Sequence, residues 1–327
     1  MSLPDLPSYD DVLSAAKQLK GQAVHTPLLE SDLLNEAYGK RILVKAEVLQ
    51  RTGSFKFRGA YNAISRLSSD ERARGVLTYS SGNHAQGIAL AAKLCGVKAT
   101  IIMPEDAPDL KIQNTKDLGA EVIFYDRFGE SREDIGQKLT EEKGVSLIKP
   151  YDNFHIIAGQ GTCGKEIAEQ CADLGVSPDA VIVPAGGGGL TAGICLAMEQ
   201  HFPKTTIFTV EPEHFNDWQR SQEAGKILSN EPGHRSICDA ILTPEPGEMT
   251  FALASPRLAG GLTVSDEDAK HAMREAFSRL KLVLEPGGAA ALATALLDKV
   301  PGNPQTIVVI ASGGNVDPAQ FAEIVKA

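Results

Sequence analysis

Lys56 is delivered by the polar turn Arg51-Thr52-Gly53-Ser54-Phe55-Lys56-Phe57-Arg58-Gly59-Ala60. The apolar run Ile42 to Leu49 before it has strand character, and Ala60, Ala63, Ile64 and Leu67 after it fall at helical spacing. The lysine therefore lies where a strand hands over to a helix. Between Phe55 and Phe57, desolvation and the positive end of the helix lower an ammonium pKa and leave an amine able to form an imine. A solvated lysine on a helix face is the alternative for this stretch taken alone.

Three further turns can hold an anion or a ring. Gly186, Gly187, Gly188 and Gly189 separate the apolar run Ala180 to Ala185 from a helical pattern that starts at Leu190. Such backbone turns tightly, approaches a ligand closely and aims several N–H groups at a phosphate beside a positive helix end. No Gly-Lys-Ser/Thr follows, which excludes a nucleoside-triphosphate loop, and no acidic residue fits the ribose position of a dinucleotide fingerprint. Ser80-Ser81-Gly82-Asn83-His84 is a second strand-to-helix turn whose N–H groups suit a carboxylate, with Asn83 adding a donor for a phenolic oxygen. An N-cap with incidental polar neighbours is its alternative. Ser312-Gly313-Gly314-Asn315 ends the last apolar strand, where the hydroxyl of Ser312 can donate to a heterocyclic nitrogen without protonating it.

The elements that must position these turns alternate. Periodicity predicts a helix over Tyr9 to Leu19, a strand at Val76 to Tyr79 and an Ala-rich helix ending before Gly96. Strands at 99–103 and 122–125 alternate with helices at 108–118 and 130–143, and Val145 to Ile148 opens a second series. Lys149-Pro150-Tyr151-Asp152 is a candidate lobe boundary. A helix containing Gly164 to Leu174, the strand 180–185, a helix over 190–200 and a strand over 206–210 ending at Glu211-Pro212 follow. Helices at 266–280 and 287–297 precede the strand 306–310. Strand and helix in this alternation imply a parallel sheet with right-handed crossovers.

At 327 residues the chain suits two unequal lobes. Its net charge of −10, with no Lys/Arg run carrying interleaved aromatics, argues against nucleic acid or an anionic membrane as partner. No basic-then-apolar leader opens the chain and no run of about 18 apolar residues occurs, so a cytoplasmic protein is expected. The 5 cysteines have no C-x-x-C spacing, which indicates neither a zinc site nor a disulfide framework.

Together, Gly53-Ser54-Phe55-Lys56-Phe57-Arg58-Gly59-Ala60, Ser80 to His84, the glycine tetrad and Ser312 to Asn315 resemble the threonine dehydratase and serine racemase group of fold-type II pyridoxal-phosphate enzymes. The resemblance covers nearly the whole chain, with the motifs in the family's order. It implies an α/β fold like that of the tryptophan synthase β chain, with two open, twisted, mainly parallel sheets flanked by helices and the cofactor between the lobes. Residues 1–70 with 150–327 would form the large cofactor domain, and 71–149 a small mobile domain that binds substrate. The resemblance gives Lys56 the Schiff base and the α-proton, and Gly186 to Gly189 with Leu190 the phosphate. Asn83 takes the ring hydroxyl, Ser312 the ring nitrogen, and Phe55 and Glu285 lie beside the cofactor.

Ser81, Gly82, Asn83 and His84 would receive the substrate carboxylate, and Arg132 matches a small-domain arginine near the substrate. Ser81 also matches the racemase residue on the far face of the cofactor. Glu211 and Asp217, with the Phe215 carbonyl between them, match divalent-cation ligands and suit Mg²⁺ or Ca²⁺. Asp239-Ala240 departs from the family's Asp-Gly, which narrows that wall. The absence of an appended regulatory domain after Ala327 argues against feedback control. The resulting expectation is dehydration and deamination of L-threonine and/or L-serine to a 2-oxo acid and ammonia, in a homodimer or larger oligomer. Dehydration of 3-hydroxyaspartate, with Arg132 or His155 receiving the extra carboxylate, amino-acid racemisation, and a non-catalytic amino-acid-binding protein are the alternatives.

Overall fold

The computed structural model describes residues 5–107, 109–126 and 129–326. Pro108, where one helix is expected to start, and the opening four residues, read as free of a leader, lie outside the described residues. Strands are β1 (Leu28–Leu29), β2 (Arg41–Lys45), β3 (Val76–Tyr79), β4 (Ala99–Pro104), β5 (Glu121–Tyr125), β6 (Ser146–Leu147), β7 (Ala180–Pro184), β8 (Thr206–Pro212), β9 (Gly260–Val264) and β10 (Thr306–Ile310). Helices are α1 (Tyr9–Leu19), α2 (Asp32–Tyr38), α3 (Lys56–Ser65), α4 (Ser69–Arg74), α5 (Asn83–Cys95), α6 (Asp109–Asp117) and α7 (Arg132–Lys143). They continue as α8 (Phe154–Asp173), α9 (Gly189–His201), α10 (Asp217–Ala224), α11 (Glu248–Ala254), α12 (Asp266–Glu275), α13 (Pro286–Leu296) and α14 (Pro318–Lys326).

The strands form a 6-stranded sheet, ordered β1-β2-β10-β7-β8-β9, and a 4-stranded sheet, ordered β5-β4-β3-β6. Every pairing is parallel except β1 with β2. β7 and β10 are buried along nearly their whole length because helices cover both faces of the larger sheet, which is why they read as continuous apolar runs. One core layer packs Ile42, Val44, Ile182 and Val309 against α13. The other packs Leu43, Val181 and Val308 against α8 and α9.

Among the elements that the sequence predicts, three differ. The run 42–49 is not one strand. β2 stops at Lys45, and Glu47–Leu49 is a 3₁₀ turn because the fully buried Glu47 carboxylate meets Arg58, whose Nε and Nη2 donate to it at 2.8 and 2.7 Å. α8 extends ten residues ahead of Gly164, the first residue the sequence placed in it, and is capped by Asn153, which accepts from the N–H groups of His155 and Ile156. Glycines usually weaken a helix, but here they let helices meet. A Cβ on Gly159 would stand 2.6 Å from Gly59 Cα, and one on Gly193 would stand 2.4 Å from Gly161 N. The helix expected over 266–280 passes from α12 into a π turn at Ala276–Leu280 and ends at Lys281 with φ 59°.

Candidate active site

The carboxyl ends of β7 and β10 in the larger sheet and of β3 in the smaller one open on a cavity of about 220 Å³. Its wall includes Phe55, Lys56, Ser81, Asn83, Gly188 and Ser312. The turn that bears Lys56 is pinned to the last strand's loop: Ser54 and Gly313 form an antiparallel bridge, and Phe55 N–H donates to Ser312 O at 3.2 Å. Lys56 thereby becomes the first residue of α3. Its Nζ donates to Pro150 O at 3.2 Å and lies 5.0 Å from the Phe55 ring. Burial brings its pKa down to about 8, against the pull of Glu285. The ammonium thus gives up its proton far more readily than a surface lysine.

The glycine tetrad opens α9, and Gly188 holds φ at 90°. A Cβ on Gly187 would enter the Tyr151 ring at 2.2 Å, and one on Gly188 would stand 2.0 Å from Trp218 Cζ2. The carbonyls turn outward: Trp218 Nε1 donates to Gly186 O at 2.6 Å and Thr250 Oγ1 to Gly187 O at 2.6 Å. The first-turn N–H groups of α9, including that of Leu190, have no acceptor within the helix and form an anion cradle. Thr243 Oγ1, buried with no hydrogen-bond partner, lines the same wall and is 3.1 Å from where a Gly186 Cβ would be. An orphaned hydroxyl beside an N–H cradle fits a phosphate, and a buried amine with a lowered pKa fits an aldehyde; the residues present suit pyridoxal phosphate. Thr243 and Tyr151 escaped the sequence reading because neither carries a motif.

Across the cavity, α5 begins at Asn83, whose Nδ2 donates to Glu285 Oε1 at 2.6 Å. Burial, and then the charge of Asp239, push the Glu285 carboxyl up to about 7. His84 is buried, with Nε2 3.3 Å from Ile148 O, and burial takes its pKa to about 3, so the ring is neutral at ordinary pH. Ser81, Gly82 and Arg132 line the same cavity. The Arg132 guanidinium stands 5.2 Å from the Tyr79 ring centroid, its Nε donating to Glu133 Oε1 at 2.7 Å. His155 does not belong to this wall. It heads α8, edge-on to Phe154. Lys111 of α6 reaches Asp239 Oδ2 at 2.6 Å, and both line the cavity.

Glu211 and Asp217 lie together at the start of α10. Glu211 accepts from the N–H groups of Trp218 at 3.0 Å and Gln219 at 3.2 Å, and burial with the neighbouring Asp217 charge raises its carboxyl well above the usual range. Asp217 Oδ1 accepts from Asn230 Nδ2 at 2.5 Å, and the Asp217 and Glu211 carboxyls lie within hydrogen-bonding reach of each other. Phe215 closes the turn between them, its N–H donating to Pro212 O at 3.0 Å. Among the described residues, no group of three or more His, Cys, Asp and Glu side chains could hold a metal ion.

The profile of the family described as pyridoxal-phosphate dependent enzyme matches residues 19–313. The chain belongs to that family. Its cofactor is pyridoxal phosphate, and its architecture is that of the fold-type II members. The chain is 46% identical over 98% of its length, and 97% of the relative's, to an L-threo-3-hydroxyaspartate ammonia-lyase of Saccharomyces cerevisiae. It is 42% identical over 98% of each chain to a serine racemase of Schizosaccharomyces pombe. Among solved structures, a threonine deaminase from T.th. superposes with a TM-score of 0.89 at 45% identity, covering 95% of this chain and 99% of that one.

Proposed function

We propose that this enzyme dehydrates and deaminates a β-hydroxy amino acid bearing a second carboxylate, 3-hydroxyaspartate, to a 2-oxo acid and ammonia. The observation that carries the choice is Arg132, a guanidinium in the wall of the cavity that contains Lys56. Pyridoxal phosphate, when bound, supplies the electron sink for the pair left when a proton leaves Cα. Lys56 is the residue that attaches it and the base that takes that proton, with a pKa near 8 suited to both roles. Gly186, Gly187, Gly188, Gly189, Leu190 and Thr243 hold the phosphate. Phe55 and Glu285 flank the ring, Asn83 meets its hydroxyl and Ser312 its nitrogen. The turn Ser81, Gly82, Asn83, His84 holds the α-carboxylate, and Arg132 the distal one. Segment 71–149 is the small mobile lobe, and 1–70 with 150–327 the large one; the Lys111 and Asp239 pair is then a charged contact between them.

The purified enzyme is to be given 3-hydroxyaspartate isomers, L-threonine and L-serine, with keto acid and ammonia as readouts. Arg132→Met should cut kcat/KM for hydroxyaspartate by roughly 30- to 100-fold, a charged hydrogen-bonded pair, and L-serine turnover by only a fewfold. An equal loss on both substrates refutes the role of Arg132. Turnover of L-threonine or L-serine alone restores the monocarboxylic reading, and inversion of serine without keto acid points to a racemase acting through Ser81.

The pairing of two buried carboxyl groups, Glu211 and Asp217, supports a Mg²⁺ or Ca²⁺ site completed by the Phe215 carbonyl. A chelator should lower the melting temperature of the wild type and leave Asp217→Ala unmoved; indifference of the wild type removes the site. The free cysteines suit a cytoplasmic setting. A homodimer or larger oligomer is the expected assembly, measurable by sedimentation.

A further inference from the structure

A chain of amide hydrogen bonds ends at Asn83 and starts from a group with no choice of role. The carbonyl oxygen of Thr52 can only accept, and Asn315 Nδ2 lies 2.8 Å from it. This sets the sense of the Asn315 amide. The second Nδ2 hydrogen reaches Asn83 Oδ1 at 2.7 Å, so Asn83 must turn its oxygen towards Asn315. Its own Nδ2 then faces the other way and donates to Glu285 Oε1 at 2.6 Å. One N–H hydrogen of Asn83 remains, and Asn83 lines the cavity it shares with Lys56 and Ser312.

Packing holds the chain where it is. Thr52 sits at φ 61°, a backbone region that β-branched residues rarely occupy. Gly314 N–H donates to Gly53 O at 2.9 Å, which ties that turn to the loop that carries Asn315. A Cβ on Gly53 would stand 2.7 Å from Asn315 Oδ1. One on Gly313 would stand 2.1 Å from Glu285 Oε1 and 3.1 Å from Asn83 Nδ2. The three loops can close this tightly only around glycine, and the amides fit between them in one sense.

We propose that Asn315 is a positioning residue that sets the polarity of Asn83, so that Asn83 presents a donor and not an acceptor to the ligand oxygen it meets. The inference rests on the role assigned above to Asn83 at the ring hydroxyl. A donor there favours the ionised ring oxygen, whereas an inverted amide would accept from the protonated one. Asn315 acts on the cofactor through Asn83, and the polarity it imposes originates at the Thr52 carbonyl.

The test uses the cofactor-loaded protein and its absorption spectrum. Asn315→Asp keeps the size of the side chain but offers only acceptors, so Asn83 inverts and turns Nδ2 towards residue 315. The long-wavelength band of the ionised ring should fall relative to the short-wavelength band by at least about tenfold, the factor for about 1.4 kcal/mol, near the low end for a hydrogen bond to a charged group. Asn315→Leu releases Asn83 without inverting it and should give an intermediate ratio, which decides the matter if Asn315→Asp does not fold or load.

The new charge of Asn315→Asp also acts on the ring directly, and the same substitution in an Asn83→Ala background measures that field effect. The proposal requires the shift in the wild-type background to be several times larger. Equal shifts in the two backgrounds, or wild-type ratios in folded, loaded variants, overturn it. A wild type that yields no borohydride-trapped adduct at Lys56 would instead overturn the cofactor assignment, so the two failures are told apart.

Discussion

Replacing Glu285 by Gln should flatten the dependence of stability on pH between about pH 5 and 8. The side chain is fully buried, and burial, then the charge of Asp239, raise its carboxyl from 4.5 to about 7. Between those values the folded state keeps a proton that the unfolded chain releases. Stability fully present at low pH is therefore lost as the pH rises through 7. The difference between about 7 and 4.5, at about 1.36 kcal/mol per unit, amounts to about 3 kcal/mol. Gln keeps the shape and the Oε1 that accepts from Asn83, so the variant removes the titration and little else. Glu285 also holds the Lys56 pKa up, and losing that pull adds to the variant's relative gain at high pH. The assay is urea and thermal unfolding of the cofactor-free protein at stepped pH. The advantage of Glu285→Gln over wild type should grow by about 3 kcal/mol from pH 5 to 8, or on the order of 5 °C in Tm. Parallel pH curves for the two proteins would refute the reasoning.

Other outcomes follow from the same geometry. Arg58→Met strands the fully buried Glu47 and strips Glu166 of two bonds, at 2.7 and 2.8 Å, and should cost about 3–5 kcal/mol in urea unfolding. Adding Glu47→Gln to that variant should recover part of the loss. Gly188→Ala, at φ 90° and 2.0 Å from Trp218, should cost about 2–5 kcal/mol and weaken cofactor binding. Gly82→Ala, whose Cβ meets nothing within 4 Å, should cost under about 1 kcal/mol. In the cofactor-free protein, an amine-reactive label followed by mass spectrometry should modify Lys56 with a midpoint near pH 8, well below the 10.5 of an ordinary lysine.

Local signals carried much of the fold. Tyr9–Leu19, Val76–Tyr79 and Thr306–Ile310 are visible in apolar spacing and in the turn residues that bound them, because those forces act within a few positions of the chain. The strand that breaks at Ala46 and the helix that starts at Phe154 were not visible in this way. In the first, a buried carboxylate 11 positions from its arginine overrides strand character. In the second, glycines that weaken a helix in isolation are needed at the crossings with α3 and α9, and only the packed neighbours reveal that.

The candidate site divides along the same line. Lys56, the glycine tetrad, Ser81 to His84 and Ser312 stand out in the sequence because each turn must be built from particular residue types next to one another. The same holds for the pyridoxal-phosphate family, which those turns identify. What tertiary structure alone decided is how the turns act on each other. Asn83 meets Glu285 across 202 positions and Asn315 across 232, and burial at their meeting point moves the Lys56 and Glu285 pKa values towards each other, to about 8 and about 7. Hydrogen-bond polarity and desolvation depend on which groups enclose a side chain. Those groups come from distant parts of the chain, so no local spacing encodes them.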